Sequence, residues 1–322
     1  MIVTVTMNAA LDRILTVPNF QRDHRHRASE KLTLAGGKGI IVARALKRLG
    51  VPVVATGLVG GRNGRRILEE LSEEAVLNDL VRIDDESRTS TAVIDPTSGG
   101  YTEIIEWGPL VGAEELDVLR EKIDYLARGA ETVVFAGSLP RGVEPSFYAD
   151  MIRELNRRHV STVLDTEGEP LRLGIEAEPD LVAPNQAEAE SVAGQEFSEE
   201  EDFVLALDTF TEMGARNVLV THERGVYAHL RREKERGRPM RFRVEAPAVE
   251  VVSPVGAGSV LLAAFLAARL EKLKPEEALR RAVAAGTAST LVVGSGQFEP
   301  REASRLVGEV NVSELASVPA EH

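Results

Sequence analysis

The chain has 322 residues, 43% hydrophobic and 28% charged, a globular composition that excludes collagen, coiled coil and wholesale disorder and suits two domains or one large α/β unit with an appendage. Against 38 Lys and Arg stand 51 Asp and Glu, and a net charge of -13 is the wrong sign for the clustered positive surface that displaces counterions from nucleic acid. With no cysteine there is neither a disulfide nor thiolate chemistry, and the six histidines (His24, His26, His159, His222, His229 and His322) lack metal-ligand spacing.

From the N-terminus, MIVTVTM lacks the basic stretch and cleavage site of a secretory signal, and the longest apolar run, residues 260–268, is far short of the ~20 residues that span a bilayer. A cytoplasmic protein is expected. Short β-branched runs at 2–6, 53–58, 132–136, 161–165, 180–183 and 217–221 predict strands. Amphipathic stretches at 114–128 and from Pro145 to about His159 predict helices between them, so a parallel βαβ sheet follows. Two segments break this alternation. Residues 12–34 and 81–106 carry strand-like pieces (ILTVP, KLTL, STAVID) with no helix between, which predicts one small antiparallel sheet inserted twice. Residues 1–11, 35–80 and 107–322 would then form the α/β body. A sheet with one apolar face must bury it, so this insert is expected to cover a cleft, to pair with a second subunit, or both. The basic run RDHRHR at 22–27 fits either a solvated turn or an anion contact.

Two glycine-rich turns feed helices. In SPVGAGS (253–259), Gly256, Ala257 and Gly258 precede an apolar helix, and in AGGKG (35–39), Gly36, Gly37 and Lys38 do the same with a lysine added. Both deliver free backbone N–H groups and the positive end of a helix dipole to one spot, a cradle for an anion or a transferring phosphoryl group. Neither is a dinucleotide fingerprint, because Leu261 stands where the third glycine is needed, nor a Walker A loop, because Leu32 replaces its leading glycine. Each turn read alone also fits plain close packing.

The ordered series MNAALD (7–12), AGGKG (35–39), GLVGGRNG (57–64), AGSLPRG (136–142), LDTEGEPL (164–171), PNQAEAE (184–190) and VGAG (255–258) resembles the PfkB, ribokinase-like, sugar kinases, in particular the branch of 1-phosphofructokinase and tagatose-6-phosphate kinase. The resemblance runs from Met1 to about Gly296. It implies a three-layer αβα, doubly wound, mostly parallel sheet with a β lid, ATP and Mg2+ as cofactors, and a ketohexose monophosphate as substrate. Homodimerisation through the lid is expected on a separate ground, because the inserted sheet has two faces and only one can cover the cleft. Carried over by position, Asp12 would hold sugar hydroxyls, and Gly36, Gly37 and Lys38 would contact the sugar and its phosphate. Arg88 and Ser138 would grip the phosphate. Asn185 and Glu188 would organise magnesium and the nucleotide phosphates, with no direct metal ligand assigned. Thr221 and Gly225 would flank the nucleotide, and residues 256–258 would form the anion hole.

Where the family motif reads VGAGD, with aspartate as the base for the acceptor hydroxyl, this chain has Ser259. Serine has no proton-accepting form near pH 7 without a second base. Ile41 replaces an asparagine, Ala183 a lysine, Ile105 an asparagine, and Glu223 stands where a glycine is usual, in a turn one residue short. These departures predict a weak or rerouted kinase. The alternative they leave open is a non-catalytic member that binds a phosphorylated metabolite or a partner through the same cleft.

Overall fold

The computed structural model describes residues 1–231 and 239–315; His322 and the last part of the expected body segment lie outside them. In chain order the elements are β1 (Ile2–Thr6), β2 (Ala10–Thr16), β3 (Glu30–Gly36), α1 (Lys38–Arg48), β4 (Val53–Gly60), α2 (Gly61–Glu73), β5 (Val81–Ile83), β6 (Arg88–Asp95) and β7 (Gly100–Ile105). There follow α3 (Ala113–Ala127), β8 (Thr132–Ala136), α4 (Phe147–Arg157), β9 (Ser161–Asp165), α5 (Gly168–Ile175), β10 (Leu181–Val182), α6 (Gln186–Ala193), α7 (Glu200–Met213) and β11 (Val218–His222). The chain closes with β12 (Gly225–Leu230), β13 (Met240–Glu245), α8 (Ala257–Leu270), α9 (Pro275–Ser289), α10 (Pro300–Leu306) and β14 (Asn311–Glu314).

The large sheet runs β14-β13-β12-β11-β10-β9-β8-β1-β4-β5. It is parallel from β11 to β5 and antiparallel beyond β11. Strand residues alternate between two cores, as they must in a pleated strand. Val134 and Ala136 of β8 join the core under α1, α8 and α9, while Val133 and Phe135 join the one under α3, α4 and α7. Helix layers on both faces give the expected three-layer αβα architecture. Helix α8 is apolar on all sides because it is packed between α1 and α9, and its residues 259–268 are all buried.

The small sheet has the order β3-β2-β6-β7, and here two expectations need correction. First, it is mixed, because β2 and β6 pair in parallel, Ala10 opposite Arg88 and Thr16 opposite Ile94. Both strands leave the carboxyl edge of the body in one direction, and their antiparallel partners β3 and β7 bring the chain back. Second, its bounds differ: β2 and β3 reach Ala10 and Gly36, whereas β5, at 81–83, pairs with β4 in the large sheet. Ile14, Leu32, Ala92 and Ile94 pack against Val293 of the body, and β7 is exposed throughout. Among the described residues no helix is long and apolar enough to cross a membrane.

Candidate active site at the carboxyl edge of the sheet

In an open parallel sheet, the crevice beyond the carboxyl ends of the strands gathers loops and helix N-termini from separate parts of the chain. Here it gathers Asn8 after β1, Ser138 after β8, Asp165 at the end of β9, Asn185 after β10 and Thr221 in β11. The small sheet springs from the same edge and brings Asp12 and Arg88.

Lys38 opens α1, and its ammonium donates to Asp165 Oδ1 at 2.7 Å and to Glu188 Oε1 at 2.6 Å. Burial opposes the charge on Lys38, but the two carboxylates outweigh it and hold the amine above the ordinary lysine range. Glu188 is pushed up from the usual carboxylate range by burial, with Lys38 pulling the other way. It is fixed by a capping box at the start of α6: Asn185 Oδ1 accepts from Glu188 N at 2.9 Å, and Glu188 Oε2 accepts from Asn185 N at 2.8 Å. Asn185 and Glu188 are thus one unit.

A second cluster centres on Asn8, whose Nδ2 donates to Ser138 Oγ at 3.1 Å while its carbonyl accepts from Arg88 Nε at 3.3 Å. Burial lowers Arg88 from the ordinary arginine range, and Asp12, Glu103 and Glu167 offset this. Arg88 and Ser138 therefore meet through Asn8. The ammonium of Lys38, expected to join them on a phosphate, is turned instead onto the two carboxylates, although the backbone of Lys38 lies beside Gly137.

Asp12 sits over the start of α1. A Cβ on Gly36 would stand 2.2 Å from its carboxyl carbon, so only glycine admits the carboxyl here. Ser295 Oγ donates to Asp12 Oδ2 at 3.0 Å. Burial pushes Asp12 up to about 6, with Ser295, Arg44 and Arg88 pulling down and Glu103 pushing up. Arg44 is buried and holds this corner together through Nη1 to Ser295 O at 2.8 Å, Nη2 to Ala35 O at 2.7 Å and Nε to Glu74 Oε2 at 2.7 Å.

The other glycine turn caps α8. Gly256 adopts φ 82, in the left-handed region, and lets the chain enter a helix whose first turn carries no acidic residue. Ser259 is the third residue of α8 and only 5% exposed. Thr221 Oγ1 lies 3.8 Å from the position of a Cβ on Gly258, so Thr221 borders this turn. Gly225, also expected beside the nucleotide, is pressed onto the Val244 carbonyl across the β12–β13 pair, where a Cβ would approach to 1.9 Å. His222 points to the opposite side of the sheet, its ring 5.1 Å from Phe203 and 5.3 Å from Tyr227, and burial lowers it from the usual histidine range. It does not supply a base at Ser259.

A family model for pfkB family carbohydrate kinases matches residues 3–302. The chain belongs to the pfkB family of carbohydrate kinases. It is 28% identical to a 1-phosphofructokinase from Borreliella burgdorferi over 98% of this chain and 99% of the relative, and 26% identical to a tagatose-6-phosphate kinase from Staphylococcus epidermidis over 98% and 100%. Among solved structures, phosphofructokinase-2 from Escherichia coli in complex with substrates and products is similar with a TM-score of 0.86 and 27% identity, over 96% of this chain and 98% of that one.

Within this pfkB kinase the departures take physical form. Ile41 is buried, its Cγ2 3.3 Å from a Cβ position on Gly256 and 3.0 Å from one on Gly296, so it fills the space under the α8 turn. Ala183 is buried, whereas Ile105 and Glu223 face solvent. Asn8, Arg44, Asp165 and Ser295 were not singled out from the sequence. Asn8 and Asp165 do lie inside the matched motifs MNAALD and LDTEGEPL, so a signal existed for them. None existed for Ser295, which lies 283 residues from Asp12.

Proposed function

We propose that this pfkB family carbohydrate kinase transfers the γ-phosphoryl group of ATP to a ketohexose monophosphate of the fructose 1-phosphate or tagatose 6-phosphate type, slowly, acting in the cytoplasm as a homodimer joined through the small sheet. The observation that carries this reading is the meeting, along one sheet edge, of two glycine-capped helix N-termini with the Asn8–Ser138–Arg88 cluster and the Lys38–Asp165–Glu188 cluster. Phosphoryl transfer asks mostly for charge neutralisation and in-line placement, and these groups have the chemistry for both. Arg88 and Ser138 bind the phosphate the sugar already carries. Asp12 meets a sugar hydroxyl, the amides of 256–258 receive the transferring group, and Thr221 borders the nucleotide.

For magnesium, the donor set fits. Asp165 and Glu188 already converge on one cation, and Mg2+ takes one or two carboxylates with waters and phosphate oxygens. Bound there, it would neutralise phosphate charge; no cluster of three His, Asp or Glu residues able to hold a metal alone occurs among the described residues. Ser259 favours a second reading, a non-catalytic member that binds a phosphorylated metabolite or a partner. An ADP-release assay on fructose 1-phosphate, fructose 6-phosphate and tagatose 6-phosphate, run beside calorimetric titration with ATP, separates the two. Turnover, raised by Ser259→Asp, supports the kinase. ATP binding without turnover in either protein supports the second reading.

A further inference from the structure

With serine at position 259, the acceptor hydroxyl needs another group to take its proton, and the side chains around the α8 turn narrow the choice. Its first turn has no acidic residue. His222 lies across the sheet in the Phe203–Tyr227 stack. The carboxylates of Asp165 and Glu188 are ion-paired with the Lys38 ammonium, whereas no ion pair holds Asp12 among the described residues. Asp12 differs from these. Oδ2 accepts from Ser295, while Oδ1 accepts no hydrogen bond among the described residues. Ser295 also packs directly on the α8 turn, its Cα 3.5 Å from a Cβ position on Gly256. Asp12 thus has a free carboxylate oxygen and shares one anchored neighbour with the anion turn, and Arg44 locks that neighbour through the Ser295 carbonyl.

We propose that the hydroxyl Asp12 meets is the acceptor itself, and that Asp12 is the general base of this protein, with the Ser295 hydroxyl and Arg44 as its positioning residues. The inference rests on the kinase reading above. In the step, Asp12 Oδ1 takes the hydroxyl proton as the sugar oxygen bonds to the γ-phosphorus. The bond from that phosphorus to the β–γ bridging oxygen breaks, and its electron pair leaves on the nucleoside diphosphate. The proton on Asp12 then passes to solvent as product departs.

The electrostatics agree with this role. The groups acting on Asp12 are Ser295 from the loop after α9, Arg44 from α1, Arg88 from β6 and Glu103 from β7, and burial against them sets the carboxyl to about 6. A base of that strength is ionised at pH 7.5 yet binds a proton more readily than an ordinary aspartate.

The test is the pH dependence of kcat/KM in the parent, Asp12→Asn, Ser259→Asp and the double variant. The parent is expected to lose activity below an apparent pKa near 6. Asp12→Asn is expected to cut kcat by ~10²–10⁴-fold and abolish that limb, and adding Ser259→Asp to Asp12→Asn is expected to recover part of the rate with a limb at lower pH. Circular dichroism of Asp12→Asn checks that its fold is kept. If Asp12→Asn raises the KM for sugar phosphate while kcat stays within about threefold, or keeps the parent's acid limb, Asp12 is a sugar ligand only and the proposal falls. Absence of turnover in the parent also overturns it, and the ATP titration then decides the kinase reading separately.

Discussion

Replacing Lys38 by methionine tests the most strongly charged contact of the site. The side chains of Asp165 and Glu188 are 6% and 8% exposed, so without the ammonium two carboxylates face each other in poor contact with water. Breaking a buried ion pair by removing one partner costs about 3–5 kcal/mol, and the lower end applies because the Lys38 side chain is 33% exposed. A chain of this length has an unfolding entropy of roughly 0.7 kcal/mol/K, so a loss of ~3 kcal/mol lowers Tm by about 4 °C at pH 8. The penalty depends on pH. Burial already raises Glu188, and loss of Lys38 raises it further. A carboxyl whose folded pKa lies above its unfolded one stabilises below the unfolded value, and that contribution is lost as pH rises through the folded value. The deficit is therefore largest at pH 8 and shrinks towards pH 5, where Glu188 takes up a proton. Millimolar MgCl2 should restore part of the Tm of the variant at pH 8, relative to NaCl of equal ionic strength, and move the parent less, since Lys38 holds the pair there. Differential scanning calorimetry at both pH values checks this. A Tm within about 1 °C of the parent at pH 8, or equal deficits at pH 5 and pH 8, would refute the reasoning.

Asp12→Asn should stabilise the protein at neutral pH. A rise from 3.8 to about 6 costs roughly 3 kcal/mol once the group is ionised, so the variant gains about 4 °C in Tm at pH 7.5 and nothing near pH 4, and equal gains at both would count against burial as the cause. Ser259→Asp should raise turnover, by less than the ~10²-fold or more that a base gives a site with none because Asp12 already serves there, if placement of sugar and nucleotide survives Ile41 and Glu223, as initial rates of ADP release will measure. Ile105→Lys should shift a dimer towards monomer in sedimentation equilibrium, because Ile104, Ile105 and Trp107, on or next to the edge strand β7, are 64%, 57% and 88% exposed; an unchanged dimer would move the interface away from β7.

Much of the parallel part of the main sheet was legible because its strands carry their own signals: 2–6, 132–136 and 161–165 recur as β1, β8 and β9 with the same bounds, whereas the antiparallel β12, β13 and β14 were not read from the sequence. Such runs need no partner to be recognised, since their β-branched residues favour a strand wherever it pairs. Pairing between distant strands is different. The parallel contact of β2 with β6 pairs residues 78 apart in the chain, and nothing in ILTVP or STAVID says which edge of the one meets the other. The short β5, VRI, was joined to the wrong sheet for the same reason.

The site divides along the same line. Glycine turns announce themselves locally because the backbone they need is local, and Asn185 with Glu188 spell a capping box in four residues. What a charged residue faces is set by the tertiary structure. Lys38 reads as an anion ligand when seen beside Gly36 and Gly37, yet β9 and α6 bring two carboxylates to it that lie 127 and 150 residues away. Asp12 reads as an ordinary acid until Ser295 reaches it and Gly36 closes over it. A change at one motif position, Ser259 for aspartate, therefore has its consequence elsewhere in the chain. The proton-accepting chemistry proposed for this cleft rests on Asp12, which the long-range packing ties to Ser295 through Oδ2 while Oδ1 accepts no hydrogen bond among the described residues.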